Sequence, residues 1–267
     1  MRLFKRILLI VLMVVVLTVS VVLLWMSQHY VVPIIMYHHV DTINTHGQAN
    51  WVTPELFEKQ MIYIRKNNYN VITFPELAES IHEKRKLPHK TVVITFDDGY
   101  VDNYTLAFPV LKKYKVPATI FLISDVINTE GYLSESQINE MWRNQINFGS
   151  HTRTHPYLPK ISPEDRQKEI RGSKEVLEKL LKIQIDYFCY PVGGFTEDIK
   201  RMVREAGYKG ACTTNRGAFR DNSDLYELKR IRFGNKDKTD FKIWAKLSGY
   251  YNLFRKTRLP KDEYPYD

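Results

Sequence analysis

Two adjacent carboxylates, Asp97 and Asp98, close the run Thr91-Val92-Val93-Ile94-Thr95-Phe96 and are followed at once by Gly99. A β-branched run of this kind reads as a buried strand, and the glycine as the place where it turns. Two acidic side chains at the mouth of an apolar strand repel each other and are costly to desolvate. A cation, or a division into one ligand and one base, would offset that cost; a solvated Asp-Gly turn is the plainer alternative. Further along, His151 and His155 stand four apart in Ser150-His151-Thr152-Arg153-Thr154-His155. On a helical turn that spacing puts both imidazoles on one side. Two histidines and one carboxylate are a familiar ligand set for a divalent metal with open positions. Asp98 can supply the carboxylate, which leaves Asp97 beside the metal as a base.

Thr95-Phe96-Asp97-Asp98-Gly99 and His151-Thr152-Arg153-Thr154-His155, in this order, resemble the first two motifs of the polysaccharide deacetylases, the carbohydrate esterase family 4 or NodB-homology domain. The flanking stretches Asp102-Asn103-Tyr104 and Pro117-Ala118-Thr119-Ile120-Phe121-Leu122 are similar to the same family. Pro33-Ile34-Ile35-Met36-Tyr37-His38-His39-Val40 is similar to the N-terminal strand of the subgroup that deacetylates poly-N-acetylglucosamine. The resemblance implies a distorted (β/α) barrel with fewer than eight strands. It implies a divalent metal, with Zn²⁺ the expected ion, held by Asp98, His151 and His155, and Asp97 as general base. The substrate implied is an N-acetylated cell-surface glycan, poly-β-1,6-N-acetylglucosamine before peptidoglycan. A non-catalytic glycan-binding relative and an O-acetyl esterase are the alternatives.

Two departures from the family pattern stand out. Its third motif often reads Arg-x-Pro-Tyr-Gly, with the arginine orienting the base; here the stretch is Cys189-Tyr190-Pro191-Val192-Gly193. That orienting contact is either missing or supplied by another residue, with Arg230 and Arg232 the candidate substitutes, while the Val192 N–H can still line an oxyanion site because that role belongs to the main chain. The fifth motif, a Leu-x-His that supplies a general acid, has no counterpart, since no histidine follows His155. His38 or His39, at the end of the first strand, is the expected acid. Tyr190 and Tyr100 are the aromatics expected to approach substrate.

These residues need a frame of alternating strands and helices. Strands are expected at 31–37, 71–73, 91–96, 118–123, 187–190 and 209–213, and helices at 54–67, 75–86, 103–114, 162–182, 196–206 and 240–253, with an irregular stretch at 41–51. Such alternation implies a parallel sheet or barrel whose function sits at the C-terminal strand ends. Ahead of it, Ile7–Trp25 carries no charge and would span about 28 Å as a helix, close to a bilayer's hydrocarbon thickness. Arg2, Lys5 and Arg6 precede it and no Lys or Arg follows until Lys59, which places the N-terminus in the cytoplasm. The expected organisation is a basic stub and anchor at 1–29, retained rather than cleaved, and a single extracellular domain at 30–267 with a NodB-like core from about residue 89. The net charge of +9 is scattered along helical stretches, a pattern unlike a nucleic-acid-binding stripe. Only two cysteines occur, Cys189 and Cys212. That excludes a disulfide framework and favours two buried thiols.

Overall fold

The computed structural model describes residues 2–42, 50–217 and 219–255. An N-terminal helix, α1 (Arg2–Gln28), is followed by β1 (Ile34–Tyr37), β2 (His39–Val40), β3 (Trp51–Val52), α2 (Pro54–Lys66), β4 (Asn70–Ile72), α3 (Phe74–His82) and β5 (Thr91–Phe96). A π-helical turn at Asn103–Ala107 runs into α4 (Phe108–Lys113), then β6 (Ala118–Leu122), α5 (Glu135–Trp142), β7 (Ile146–Ser150) and α6 (Pro163–Leu181). The chain closes with β8 (Tyr187–Cys189), α7 (Glu197–Glu205), β9 (Gly210–Cys212), β10 (Ile231–Arg232), α8 (Asp240–Leu247) and α9 (Tyr251–Phe254).

The strands are parallel and run in the order β10-β1-β5-β6-β7-β8-β9, with β4 added alongside the start of β5. All six residues of β5 are buried, as expected of a strand covered on both faces. One short segment closes the ring. Thr213 N–H donates to the Leu228 carbonyl and Arg230 N–H to the Thr214 carbonyl, while Ile231 pairs with Ile35 of β1. This seam gives the expected distorted barrel, with seven strands on the main path.

Several helix starts follow from the sequence. Thr53, Ser162 and Thr196 each accept a backbone N–H as N-caps, and Thr73 forms a capping box with Glu76, each cap worth about 1 kcal/mol. The single helix expected over 240–253 is instead broken into α8 and α9 at Gly249, where φ is +84° and a Cβ would lie 2.2 Å from the Tyr30 ring. Tyr30 stacks on His89, and Val31 N–H donates to the Gly249 carbonyl. The chain leaving α1 is thereby fastened to the barrel. Residues Phe4–Gln28 of α1 form a helix long and apolar enough to cross a membrane, with none of it buried in the protein. The part of the expected irregular stretch at 43–49 lies outside the described residues.

Candidate metal centre and catalytic cavity

The C-terminal strand ends open into a cavity of about 660 Å³. β5 delivers Asp97 and Asp98 to its floor. Asp98 takes a left-handed φ of 73° and Gly99 one of 76°, which breaks strand alternation and brings both carboxylates to the rim. Gly99 is required there, because a Cβ would lie 2.7 Å from Leu122 Cδ2. β7 delivers His151, but not on a helical turn. The segment beyond Ser150 is a loop in which Thr152 (φ 68°) and His155 (φ 62°) are left-handed, and this double reversal brings the rings together at 4.8 Å. Glu169 pins the loop by accepting the Arg153 and Thr154 N–H groups, and Arg153 is clamped on Asp125.

Asp98 Oδ1 lies 3.4 Å from His151 Nε2 and 3.5 Å from His155 Nε2. It is buried with no hydrogen-bond partner among the described residues. His151 Nδ1 faces the Cys189 carbonyl at 2.7 Å; donating there turns Nε2 toward Asp98, the usual orientation of a metal-ligating imidazole, where a cation would displace the Nε2 proton. The Tyr100 hydroxyl bonds to Asp98. Burial drives the His155 pKa down to about 4, helped by the charge of His151. At His151 burial is outweighed by Cys189, Asp97 and Asp98, and the pKa stands at about 10. The unsatisfied Asp98 oxygen and the two imidazole nitrogens are three ligand atoms within 4.8 Å of one another, a set that fits a divalent cation.

Asp97 is held differently. Arg230, 1% exposed, meets it bidentately, Nη1 to Oδ1 and Nη2 to Oδ2, each at 2.6 Å. Nε donates to the Thr213 carbonyl, Nη1 also to Thr95 Oγ1, and Nη2 also to Cys189 Sγ. All five guanidinium donors are thus used. Burial raises the Asp97 pKa, yet the Arg230 charge and hydrogen bonds override it and hold the carboxyl well below the usual range. Cys189 stands where the family pattern has an arginine, and the arginine arrives from the seam instead. Of the two expected replacements, Arg230 makes the contact; Arg232 lines the cavity without reaching Asp97. Cys189 and Cys212 are both free and buried, in register on β8 and β9.

His38 and His39 part company. His38 lines the cavity with Nε2 3.9 Å from Asp97 Oδ2, and burial lowers its pKa against the pull of Asp97. Its backbone is fixed by Asn103, which donates to the His38 carbonyl. His39 points away, with Nδ1 2.6 Å from Asp102 and its ring stacked on Tyr100. Tyr190 borders the cavity, but its ring packs on Phe195 and its hydroxyl donates to the Tyr226 carbonyl, so the side chain serves the core. Val192 lines the cavity at φ 55°, a conformation costing a β-branched residue about 1–3 kcal/mol.

A family model described as polysaccharide deacetylase matches residues 84–211. A Bacillus subtilis protein, YxkH, which bears a provisional polysaccharide deacetylase designation, is 36% identical over 200 residues, covering 75% of this chain and 70% of its own. A poly-β-1,6-N-acetyl-D-glucosamine N-deacetylase of Staphylococcus epidermidis is 30% identical over 198 residues, covering 69% of this chain and 68% of that one. Among solved structures, the Streptococcus pyogenes deacetylase PplD in complex with acetate is similar with a TM-score of 0.74 and 29% identity, over 81% of this chain and 97% of that chain.

Proposed function

Because the chain belongs to the polysaccharide deacetylase family, we propose that it hydrolyses N-acetyl groups on an N-acetylglucosamine-containing cell-surface polysaccharide, using a divalent metal held by Asp98, His151 and His155. The observation that carries this reading is the unsatisfied Asp98 Oδ1 between two imidazoles, next to an Asp97 that is kept ionised. The chemistry such a cation supplies when bound is polarisation of the acetamide carbonyl and acidification of water.

The chain's own groups then divide the remaining work. Asp97, charged and oriented by Arg230, accepts the proton of the attacking water. Its strongly depressed pKa makes it a weak base, so position and charge carry more of its contribution than basicity does. His38, which burial keeps neutral and whose Nε2 lies 3.9 Å from Asp97 Oδ2, would take up the proton that Asp97 accepts from the water and pass it to the leaving amine. Val192 lines the same cavity, and its main-chain N–H is assigned to the developing oxyanion in this reading. Poly-β-1,6-N-acetylglucosamine is supported as the polymer by the name of the staphylococcal relative. Peptidoglycan is the second reading, favoured by arginines in the cavity wall. The segment Phe4–Gln28 supports a single-pass membrane protein with the catalytic domain outside the cell.

Acetate release from purified N-acetylglucosamine polymers, with and without chelator, tests the reading. Metal- and polymer-dependent release is expected; no release with the metal fully loaded would refute it.

A further inference from the structure

Where α1 meets the barrel, a second groove of about 840 Å³ opens between the last turns of α1, the end of α2 and the α8–α9 pair. Val22, Trp25 and Met26 of α1 form one wall, and Trp244, Tyr250 and Phe254 belong to the other. Phe254 is 84% exposed and Trp244 52%. Phe241, one turn before Trp244 and 5.8 Å from it between ring centroids, is 72% exposed. α8 is therefore apolar on two faces. Ile243 and Leu247 are buried in the core, while Phe241 and Trp244 look outward. Core packing accounts for the first face only, and large apolar side chains presented together mark a contact surface.

Composition and place identify what covers it. Five tyrosines and two tryptophans line the groove, and Lys90 is the one formally charged residue among its lining. Rings with an apolar body and a polar tip, beside a lysine that reaches outward, are the make-up of a membrane–water boundary. Lys90 gives one of its three ammonium donors to the Asn67 carbonyl, so others are left for a phosphate. The first wall of the groove is α1 itself. Its uncharged run fills the hydrocarbon thickness and sets Trp25 at the boundary, so Val22, three residues earlier, lies about 4.5 Å deeper at helical rise. The Tyr30 clasp on His89 and Gly249 holds α8 and α9 at that level. Amphipathic surfaces rest about 5–10 Å into the headgroup and acyl boundary, the same depth. A soluble partner or a second copy of the chain would have to displace lipid from a wall already inside the bilayer edge.

We propose that the α8–α9 face is a lipid-contact surface: the barrel leans on the outer leaflet, Phe241, Trp244 and Phe254 enter its boundary region, and a phospholipid fills the groove beside α1 with its phosphate near Lys90. This rests on α1 spanning the bilayer and goes beyond it, because a span ties the chain to a membrane without orienting the barrel.

The test is tryptophan quenching in the full chain, reconstituted into phosphatidylcholine vesicles whose acyl chains carry bromines either near the ester end or near the methyl end. Bromine quenches indole emission by contact. Of the four tryptophans, Trp25, Trp142 and Trp244 are exposed, and each is replaced singly by phenylalanine. Trp142, on α5 and outside the groove, is the control. Trp244→Phe should lose a quenchable share of the emission comparable to the loss in Trp25→Phe, with the shallow bromines the more effective. Trp142→Phe should lose no quenchable emission. Phe254→Trp should add some, a gain of signal rather than a loss. Quenching in Trp244→Phe equal to that of wild type, or no gain from Phe254→Trp, overturns the proposal. Trp25 still quenchable in that case would leave the spanning α1 intact, whereas quenching of Trp244 without Trp25 would refute the span and keep the lipid face.

Discussion

Replacing Arg230 with methionine removes the partner of a carboxylate that is 2% exposed. Both short contacts to Asp97 disappear together, along with the donors to Thr95, Thr213 and Cys189. Breaking a buried pair by deleting one member costs about 3–5 kcal/mol, which for a domain of this size corresponds to a Tm lower by roughly 6–20 °C. The pH dependence supplies the sign. In the wild type Asp97 lies below its ordinary value of 3.8, so its contribution is present above that pH and lost as pH falls through the lower folded value. Without Arg230 the burial effect is opposed only by the smaller pull of His151 and His38, the folded pKa rises, and protonation relieves the strain. The Tm gap between wild type and Arg230→Met should therefore be widest near neutrality and narrow as pH is lowered through about 4. Acetate release should fall by about a hundredfold or more, the loss associated with a misplaced catalytic group. Cys189 Sγ sits 3.1 Å from Arg230 Nη2, so the double variant Arg230→Met/Cys189→Arg can project a guanidinium into the vacated space from β8. It should recover part of both Tm and rate. The assays are differential scanning calorimetry across pH 3–8 and steady-state acetate release. A Tm gap independent of pH, or an Arg230→Met enzyme at wild-type rate, would refute the assignment of Arg230 as the group that orients Asp97.

Asp97→Asn should keep its metal by elemental analysis yet lose about 10²–10⁴ in kcat; near-full activity would remove Asp97 from the base role. His151→Ala should lose the metal, and unchanged metal content would contradict the ligand set. His38→Gln should lower kcat by a comparable factor to Asp97→Asn with metal content intact, since proton transfer is its assigned work; an unaltered rate places the acid elsewhere. Chelation should abolish turnover and lower Tm by several degrees through loss of a ligand that binds only the folded state, and a Tm indifferent to chelator would count against a site built from these three residues.

Much of the site was legible because it is carried by side-chain type and order. Asp97, Asp98, His151 and His155 could be placed together from their spacing and their resemblance to family motifs, and Arg230 could be named as a substitute for the missing arginine. The strand that presents His151 could not. Ile146-Asn147-Phe148-Gly149-Ser150 carries one β-branched residue, an asparagine and a glycine, a poor strand by propensity. It pairs because β6 holds it through five residue pairs, and Gly149 is required where a Cβ would lie 2.6 Å from the Phe121 ring. The helical turn expected at the histidines failed for a related reason: two left-handed residues do not announce themselves when they are Thr and His. Tyr190 borders the cavity, as its place in the sequence suggests, yet its ring packs on Phe195, a direction that sequence neighbours do not reveal.

The join between α1 and the barrel sets the enzyme's reach. Tyr30 is wedged against Gly249 and His89, and Val31 is hydrogen-bonded to the Gly249 carbonyl; only His29 separates the end of α1 from this contact. Were α1 seated in a bilayer, so short a join would act as a neck rather than a leash. The mouth of the cavity would then be held near one altitude above the membrane, and polymer would have to be brought to it, as strand emerging near the membrane would be. A Gly-Ser insert after Tyr30 would loosen the neck and extend its sweep only as the square root of its length.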